Sequence, residues 1–208
     1  MAIIVHHLEN SRSQRILWML EELDLPYEVK CYERNPKTML APPELKRIHP
    51  LGKSPLLEHD GRIIAETATI IWYLVAFSHG KLGPPDDTDA ALRWRYYLDY
   101  AEGSLMPPLL LSLVIGRMGP FGWPAKGFVT KMAMTHIDYV EGELSRRPWF
   151  AGSEFSAADV MMSFPLEAAR QRLKLDGRRP SIVEWLDRIH ARPAYQAALE
   201  KGGPYAFA

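Results

Sequence analysis

Apolar residues change their spacing along this chain near residue 80. Before that point short β-branched or alternating runs are interleaved with helical spacing; after it every patterned stretch is helical. Ile3 to Val5 is a β-branched run that predicts a buried strand. Ile16, Leu17, Met19, Leu20 and Leu23 recur at helical spacing, and Asp24 and Pro26 stop that helix. Tyr27 to Tyr32 alternates apolar and polar residues, as a strand does. Pro42 and Pro43 open a short helix that ends before His49-Pro50. Pro55-Leu56-Leu57-Glu58 and Arg62-Ile63-Ile64 flank His59-Asp60-Gly61, and an Asp-Gly between two short apolar runs predicts a hairpin. Ala65 to Phe77 reads as a helix with Ile70, Ile71, Leu74 and Val75 inward. The predicted order is β-α-β-α-β-β-α.

Residues 80–89 are rich in Gly, Pro and Asp, lack any period and read as a linker. Helical stretches follow at Asp89–Met118, Pro124–Arg146, Ser156–Leu173 and Ser181–Leu199, with Gly116, Gly119, Pro120 and Gly122 breaking the first from the second. Pro165 is expected to kink the third. The expected organisation is an α/β domain over 1–79, a linker over 80–89 and an all-α domain over 90–208.

Composition narrows the classes of partner. The 208 residues are 47% hydrophobic and 24% charged, which is enough apolar material for a core. Acidic and basic residues balance at 25 each, and no basic run interleaves with aromatics. Neither nucleic acid nor a membrane surface is therefore expected as a partner. No apolar run approaches the ~20 residues of a spanning helix, and the first residues lack the basic and apolar regions of a signal peptide. A cytoplasmic location is expected. The single cysteine, Cys31, excludes an internal disulfide framework and a CxxC pair, and is expected to be a small buried hydrophobe. The seven histidines show no paired metal spacing, so no metal is expected; adjacent His6 and His7 would face opposite sides of a strand.

Three places carry candidate chemistry. In Lys53-Ser54-Pro55 a proline enters a strand with no N–H to donate, which suits a cis bond that turns the preceding backbone outward. A trans proline at a strand start fits the same tripeptide. Glu66-Thr67 falls at a predicted helix start, where exposed N–H groups favour anions. The Thr67 hydroxyl could hold a carboxylate and Glu66 an ammonium; a plain helix cap explains the same residue types. The third place is the loop after the first strand, Leu8 to Arg15, with the polar groups Asn10, Ser11 and Ser13.

Taken together, His49-Pro50-Leu51-Gly52-Lys53-Ser54-Pro55, the hairpin and Glu66-Thr67 resemble the glutathione-binding segment of the cytosolic glutathione transferases. The resemblance covers nearly the whole length and is strongest at residues 3–25, 49–77, 150–165 and 181–200. It implies a thioredoxin-like N-terminal domain followed by an all-helical one. It implies a cis bond before Pro55, with the Ser54 backbone pairing to the cysteinyl part of glutathione like an added strand. Lys53 would meet the glycyl carboxylate, and Glu66 and Thr67 the γ-glutamyl end. His49 stands where the family usually has Asn, and Ser54 where it usually has Val.

The catalytic task implied is to stabilise a thiolate. A free thiol has a pKa of ~8.5, and a hydrogen bond to a charged group contributes roughly 1.5–3 kcal/mol. One hydroxyl at a helix start is thus sufficient. Family members that use serine place it about four residues before an arginine of the first helix; counting back from Arg15 gives Ser11. Ser13, better placed as a helix N-cap, and Asn10 are the alternatives. The loop holds no cysteine or tyrosine, unlike the thiol-transferase branch and the tyrosine classes. The resemblance further implies a homodimer, a role in detoxification, and a small apolar electrophile bound against the helical domain near Tyr100, Met106 and Leu109; the same stripe also reads as core. Alternatives are another glutathione-dependent activity (peroxidase, dehalogenase, lyase or isomerase) or a non-catalytic docking module on the same fold. Ser156-Ala-Ala-Asp159, a capping box flanked by Phe155 and Val160 as a hydrophobic staple, is read as structural.

Overall fold

The computed structural model describes residues 2–173, 175 and 177–207. It divides into two units, one of residues 1–83 with 190–206 and one of residues 84–189 with Phe207. The first unit is built around β1 (Ile3–Leu8), a strand whose sequence is apolar and which is buried at all but one of its positions. α1 (Gln14–Leu23) follows and ends at Asp24, whose left-handed conformation lets Leu25 N–H return to Leu20 O. β2 (Tyr27–Tyr32) pairs with β1 in parallel, from Ile3 opposite Tyr27 to Leu8 opposite Tyr32. α2 (Leu45–Ile48) is a single turn. β3 (Leu56–His59) and β4 (Arg62–Ala65) form the expected hairpin, with positive φ at Asp60 (52°) and Gly61 (74°), the pattern of a tight two-residue turn. α3 (Thr67–Phe77) buries Ile70, Ile71, Leu74 and Val75, as its spacing predicts. The sheet order is β2-β1-β3-β4, with β1 antiparallel to β3. The predicted element order of this domain is the observed one.

Cys31 departs from expectation. It is exposed, because β2 is an edge strand whose side chains are half-buried at most. His6 and His7 do alternate across β1, and both are buried.

The second unit is helical: α4 (Thr88–Tyr100), α5 (Met106–Arg117), α6 (Trp123–Leu144), α7 (Ala157–Leu173) and α8 (Pro180–His190). Where one helix was expected over Asp89–Met118, residues Ala101–Leu105 form a π turn between α4 and α5. By length and composition Thr88–Arg117 would pass for a membrane span; 44% of its apolar window is buried inside the protein, with Trp94, Leu98 and Leu105 in the core. α7 continues through the buried Pro165. The expected stretch Ser181–Leu199 is divided, and α9 (Pro193–Gly202) restarts at a proline suited to a first helical turn. α9 packs on α1 within the first unit, so close that a β-carbon on Gly202 would lie 2.5 Å from Gln14 Oε1.

The capping box forms as read. Asp159 accepts from the Ser156 N–H (3.0 Å) and hydroxyl (3.3 Å), and the Ala158 N–H donates to Ser156 Oγ (3.3 Å). The fully buried carboxylate also takes the Phe150 N–H (3.0 Å) and the Trp185 indole N–H (3.1 Å). Phe155 stacks edge-on against Trp149, with ring centroids 5.2 Å apart.

Burial pushes the Asp159 pKa from 3.8 up to about 6, against the pull of these four hydrogen bonds. The folded state therefore binds this proton more readily than the unfolded chain, and stability from this group falls as pH rises from about 4 to about 6. Asp159→Ala should cost about 3–5 kcal/mol in urea unfolding, since four buried donors lose their acceptor. The advantage of the native protein over Asp159→Asn should be larger at pH 4 than at pH 7, by about 2–3 kcal/mol.

Candidate functional site

The site is set by how β1 ends. Glu9 N–H donates to Tyr32 O (3.1 Å), so odd-numbered residues of β1 bond toward β2 and even-numbered ones toward β3. Leu8 therefore faces the β3 side, and extending the register that pairs His6 with Leu56 would set Ser54 opposite it. The pairing does not extend so far. The Leu8 N–H donates to Ser13 Oγ (3.1 Å), and Ser13 Oγ lies 3.2 Å from Leu8 O. A serine hydroxyl thus takes the place of a strand. Among the described residues, the Ser54 N–H and C=O have no protein partner, while its hydroxyl donates to His6 O (2.9 Å). The Ser54–Pro55 bond is cis.

Ser11, Ser54 and Lys53 line one cavity of about 190 Å³. Ser11 is 6% exposed; its oxygen accepts from the Ser13 N–H (3.2 Å) and lies 2.8 Å from Ser13 Oγ. Ser13 is buried and occupies the cap position of α1, yet makes no capping bond. The capping role expected of it is corrected: its hydroxyl serves Leu8, Ser11 and His7 instead. Asn10 is not in the cavity wall; its side-chain oxygen accepts from the Ala206 N–H (2.7 Å).

Two cations in the wall were not among the expected residues, Arg12 and Arg34. The Arg34 guanidinium spans three backbone oxygens, of Glu9 (3.2 Å), Met39 (3.0 Å) and Asn10 (3.3 Å), and the Arg34 backbone N–H donates to Glu9 Oε1 (2.7 Å). Burial lowers its pKa most, with Glu9 opposing and the Arg12 charge adding to the shift. No local motif marks Arg34; only folding brings the end of β2 back to the loop before α1. With Lys53, these side chains give the cavity three positive groups.

Glu66 and Thr67 stand at the same end of the sheet. Leu56 pairs with Ala65, so one step further Glu66 is level with Pro55. Glu66 is exposed at φ 68°, ψ 126°, a conformation rare for a residue with a side chain, and it makes no capping bond. Thr67, 4% exposed, accepts from Arg15 Nη2 (3.3 Å). Neither residue behaves as a plain cap. An unusual backbone retained on an exposed glutamate is a mark of a functional position.

Tyr100, Met106 and Leu109 are 6%, 3% and 0% exposed. Tyr100 is held by His136 Nδ1 (2.8 Å) and packs against Tyr97 and Tyr139. The expectation that these residues line an open cleft is corrected: an aromatic and methionine stripe at helical spacing is here core.

Comparison with known proteins gives a consistent family. The descriptions "Glutathione S-transferase, N-terminal domain" and "Glutathione S-transferase, C-terminal domain" match residues 11–76 and 126–188. The chain is 37% identical to glutathione S-transferase 1 of Saccharomyces cerevisiae over 96% of its own length and 94% of the relative's. It is 37% identical to glutathione S-transferase 3 of Schizosaccharomyces pombe over 96% and 87%. The crystal structure of a glutathione S-transferase from Actinobacillus pleuropneumoniae, 33% identical, superposes with a TM-score of 0.88 over 99% of this chain and 95% of that one.

The backbone at residue 66 yields a stability test. Glu66→Gly should raise the free energy of unfolding by about 0.5–1 kcal/mol, because glycine adopts positive φ at little cost. Glu66→Val should lower it by about 1–2 kcal/mol, since a β-branched residue tolerates that region worst. Chemical denaturation of the two variants decides it.

Proposed function

Because this chain belongs to the glutathione S-transferase family, we propose that its first unit binds glutathione extended along Ser54 and ionises the thiol beside Ser11. The protein is a glutathione transferase. The observation that carries the finer reading is the unpaired Ser54 backbone facing a cavity that also holds Ser11 and Lys53. The cysteinyl residue of glutathione completes the missing strand on Ser54. Its glycyl carboxylate meets Lys53, and the γ-glutamyl end meets Glu66 and Thr67, a reading supported by the register that sets Glu66 level with Pro55.

Ser11 is preferred over Ser13 and Asn10 as the donor to sulfur. Ser13 is 0% exposed and committed to Leu8 and His7, and Asn10 is tied to Ala206; Ser11 alone of the three lines the cavity. One hydrogen bond to the anion, at roughly 1.5–3 kcal/mol, lowers the thiol pKa by about one to two units. Arg12, Arg34 and Lys53 favour the same anion. The thiolate then attacks an electrophilic carbon held beside it, so that proximity supplies the rest. Glutathione is a substrate here, and the step calls for no metal.

In this reading the glutathione-binding domain spans 1–79, the linker 80–89 and the helical domain 90–208, and the second substrate is a small apolar electrophile. A cytoplasmic homodimer acting in detoxification completes the proposal. Pairing of two copies is supported by large apolar side chains left in solvent, Trp72 (57% exposed) on α3 and Leu92 (64%) on α4.

Calorimetry should detect glutathione binding at sub-millimolar to millimolar concentration; no heat at millimolar ligand would point to a docking module. Ser11→Ala should raise the pKa of the bound thiol, read by thiolate absorbance, by about one to two units. It should leave affinity for S-methylglutathione within about threefold, since that ligand carries no anion at sulfur. An unchanged thiol pKa would remove Ser11 from the mechanism.

A further inference from the structure

We propose that His7 is a positioning residue that sets, through Ser13, the direction in which the Ser11 proton points. The inference rests on the reading of Ser11 as the donor to the glutathione thiolate. His7 Nδ1 lies 2.9 Å from Ser13 Oγ, and Ser13 Oγ lies 2.8 Å from Ser11 Oγ. The three groups are 2%, 0% and 6% exposed, so no bulk water intervenes to supply or remove a hydrogen bond. The chain ends at the cavity wall.

The one Ser13 proton has three acceptors within reach, Leu8 O (3.2 Å), His7 Nδ1 (2.9 Å) and Ser11 Oγ (2.8 Å), and its two shorter contacts define two arrangements. Each hydroxyl has one proton, and a neutral imidazole carries one N–H. Ser13 Oγ already accepts the Leu8 N–H. The His7 ring also bonds to the Gly202 backbone in the sense that favours its N–H. With that N–H facing Gly202, Nδ1 is an acceptor and takes the Ser13 proton. Ser11 must then donate to Ser13, and it presents only a lone pair to the cavity. That arrangement suits a neutral thiol. With the N–H on Nδ1, the ring donates to Ser13, Ser13 to Ser11, and the Ser11 proton faces the cavity. That arrangement suits a thiolate. The two differ in tautomer, in hydroxyl rotation and in the Gly202 bond, which the second gives up in exchange for the bond to the thiolate; the thiol proton itself leaves to water as glutathione ionises.

The ring is kept neutral in both. Burial is the largest influence on it and lowers its pKa to about 4, with the Gly202 backbone opposing. Its neighbours leave it undisturbed by charge. From β2 its register partner is Cys31. On α1, Arg15 donates to Thr67. At the end of α9, Lys201 is paired with Glu21. A neutral imidazole among uncharged groups is a two-position selector and not a proton store.

Nitrogen-15 NMR of histidine-labelled protein tests this, with His7 assigned by its loss in His7→Phe. The Nε2–H form is expected in the free protein and with S-methylglutathione, and the Nδ1–H form with glutathione at a pH where its bound thiol is ionised. One tautomer in all three samples would overturn the proposal. Thiolate absorbance gives the second readout. His7→Phe should raise the bound thiol pKa by about one unit, a tenfold loss of thiolate near neutrality. His7→Asn, whose amide can donate to Ser13, should restore most of it. A thiol pKa unchanged in His7→Phe overturns the selector role, as does an equal rise in both variants. Failure of the native protein to bind S-methylglutathione would instead overturn the glutathione site itself, so the two ideas fail separately.

Discussion

One hydroxyl organises the first unit. A buried central strand must have every backbone group bonded, because an orphaned N–H or C=O costs on the order of 1–3 kcal/mol. β1 meets this demand on one side through β2 and on the other through β3, except at Leu8. There Ser13, five residues further along, folds back, accepts the Leu8 N–H and sets its hydroxyl 3.2 Å from Leu8 O. The strand end is closed off without a partner strand, and the segment that would have been that partner keeps its own N–H and C=O for something else. The edge proposed to bind glutathione is thus a piece of sheet left one strand short, and it stays accessible because its neighbour has been capped from within.

The same turn brings charge to the site. Arg34 stitches the loop of residues 9 and 10 to the segment after β2 through three carbonyls, and in doing so it is fixed in the cavity wall beside Arg12. Arg15, almost wholly enclosed, reaches Thr67 at the start of α3. One short helix start therefore connects the sulfur end and the γ-glutamyl end of the proposed ligand. Fixed donors and cations of this kind need no reorganisation when an anion forms among them, and that is where their catalytic value lies.

Much of this was legible from the residues in order. The hairpin at Asp60-Gly61, the proline-entered strand and the capping box at Ser156 depend on local chemistry, and local chemistry is written in adjacent letters. What was not legible depends on folding at a distance. Arg34 carries no motif, and its role exists only once β2 returns beside the loop. Ser13 sits where a cap belongs, so spacing alone gives it the wrong partner. Tyr100, Met106 and Leu109 have the pattern of a ligand wall and of a core equally, and burial decides between them. The habits of its residue type place Cys31 in the interior, and an edge strand overrules them. The π turn at residues 101–105 leaves the apolar period almost intact and so hides inside what reads as one helix.

The return of the chain to its beginning has a practical corollary. α9 seats Gly202 against Gln14, and four residues later the Ala206 amide grips the side chain of Asn10, next to Ser11. The segment after α9 is in this way a buttress for the loop that precedes α1. Substitutions over residues 202–206 would therefore shift a loop nearly two hundred positions upstream without touching the cavity wall itself.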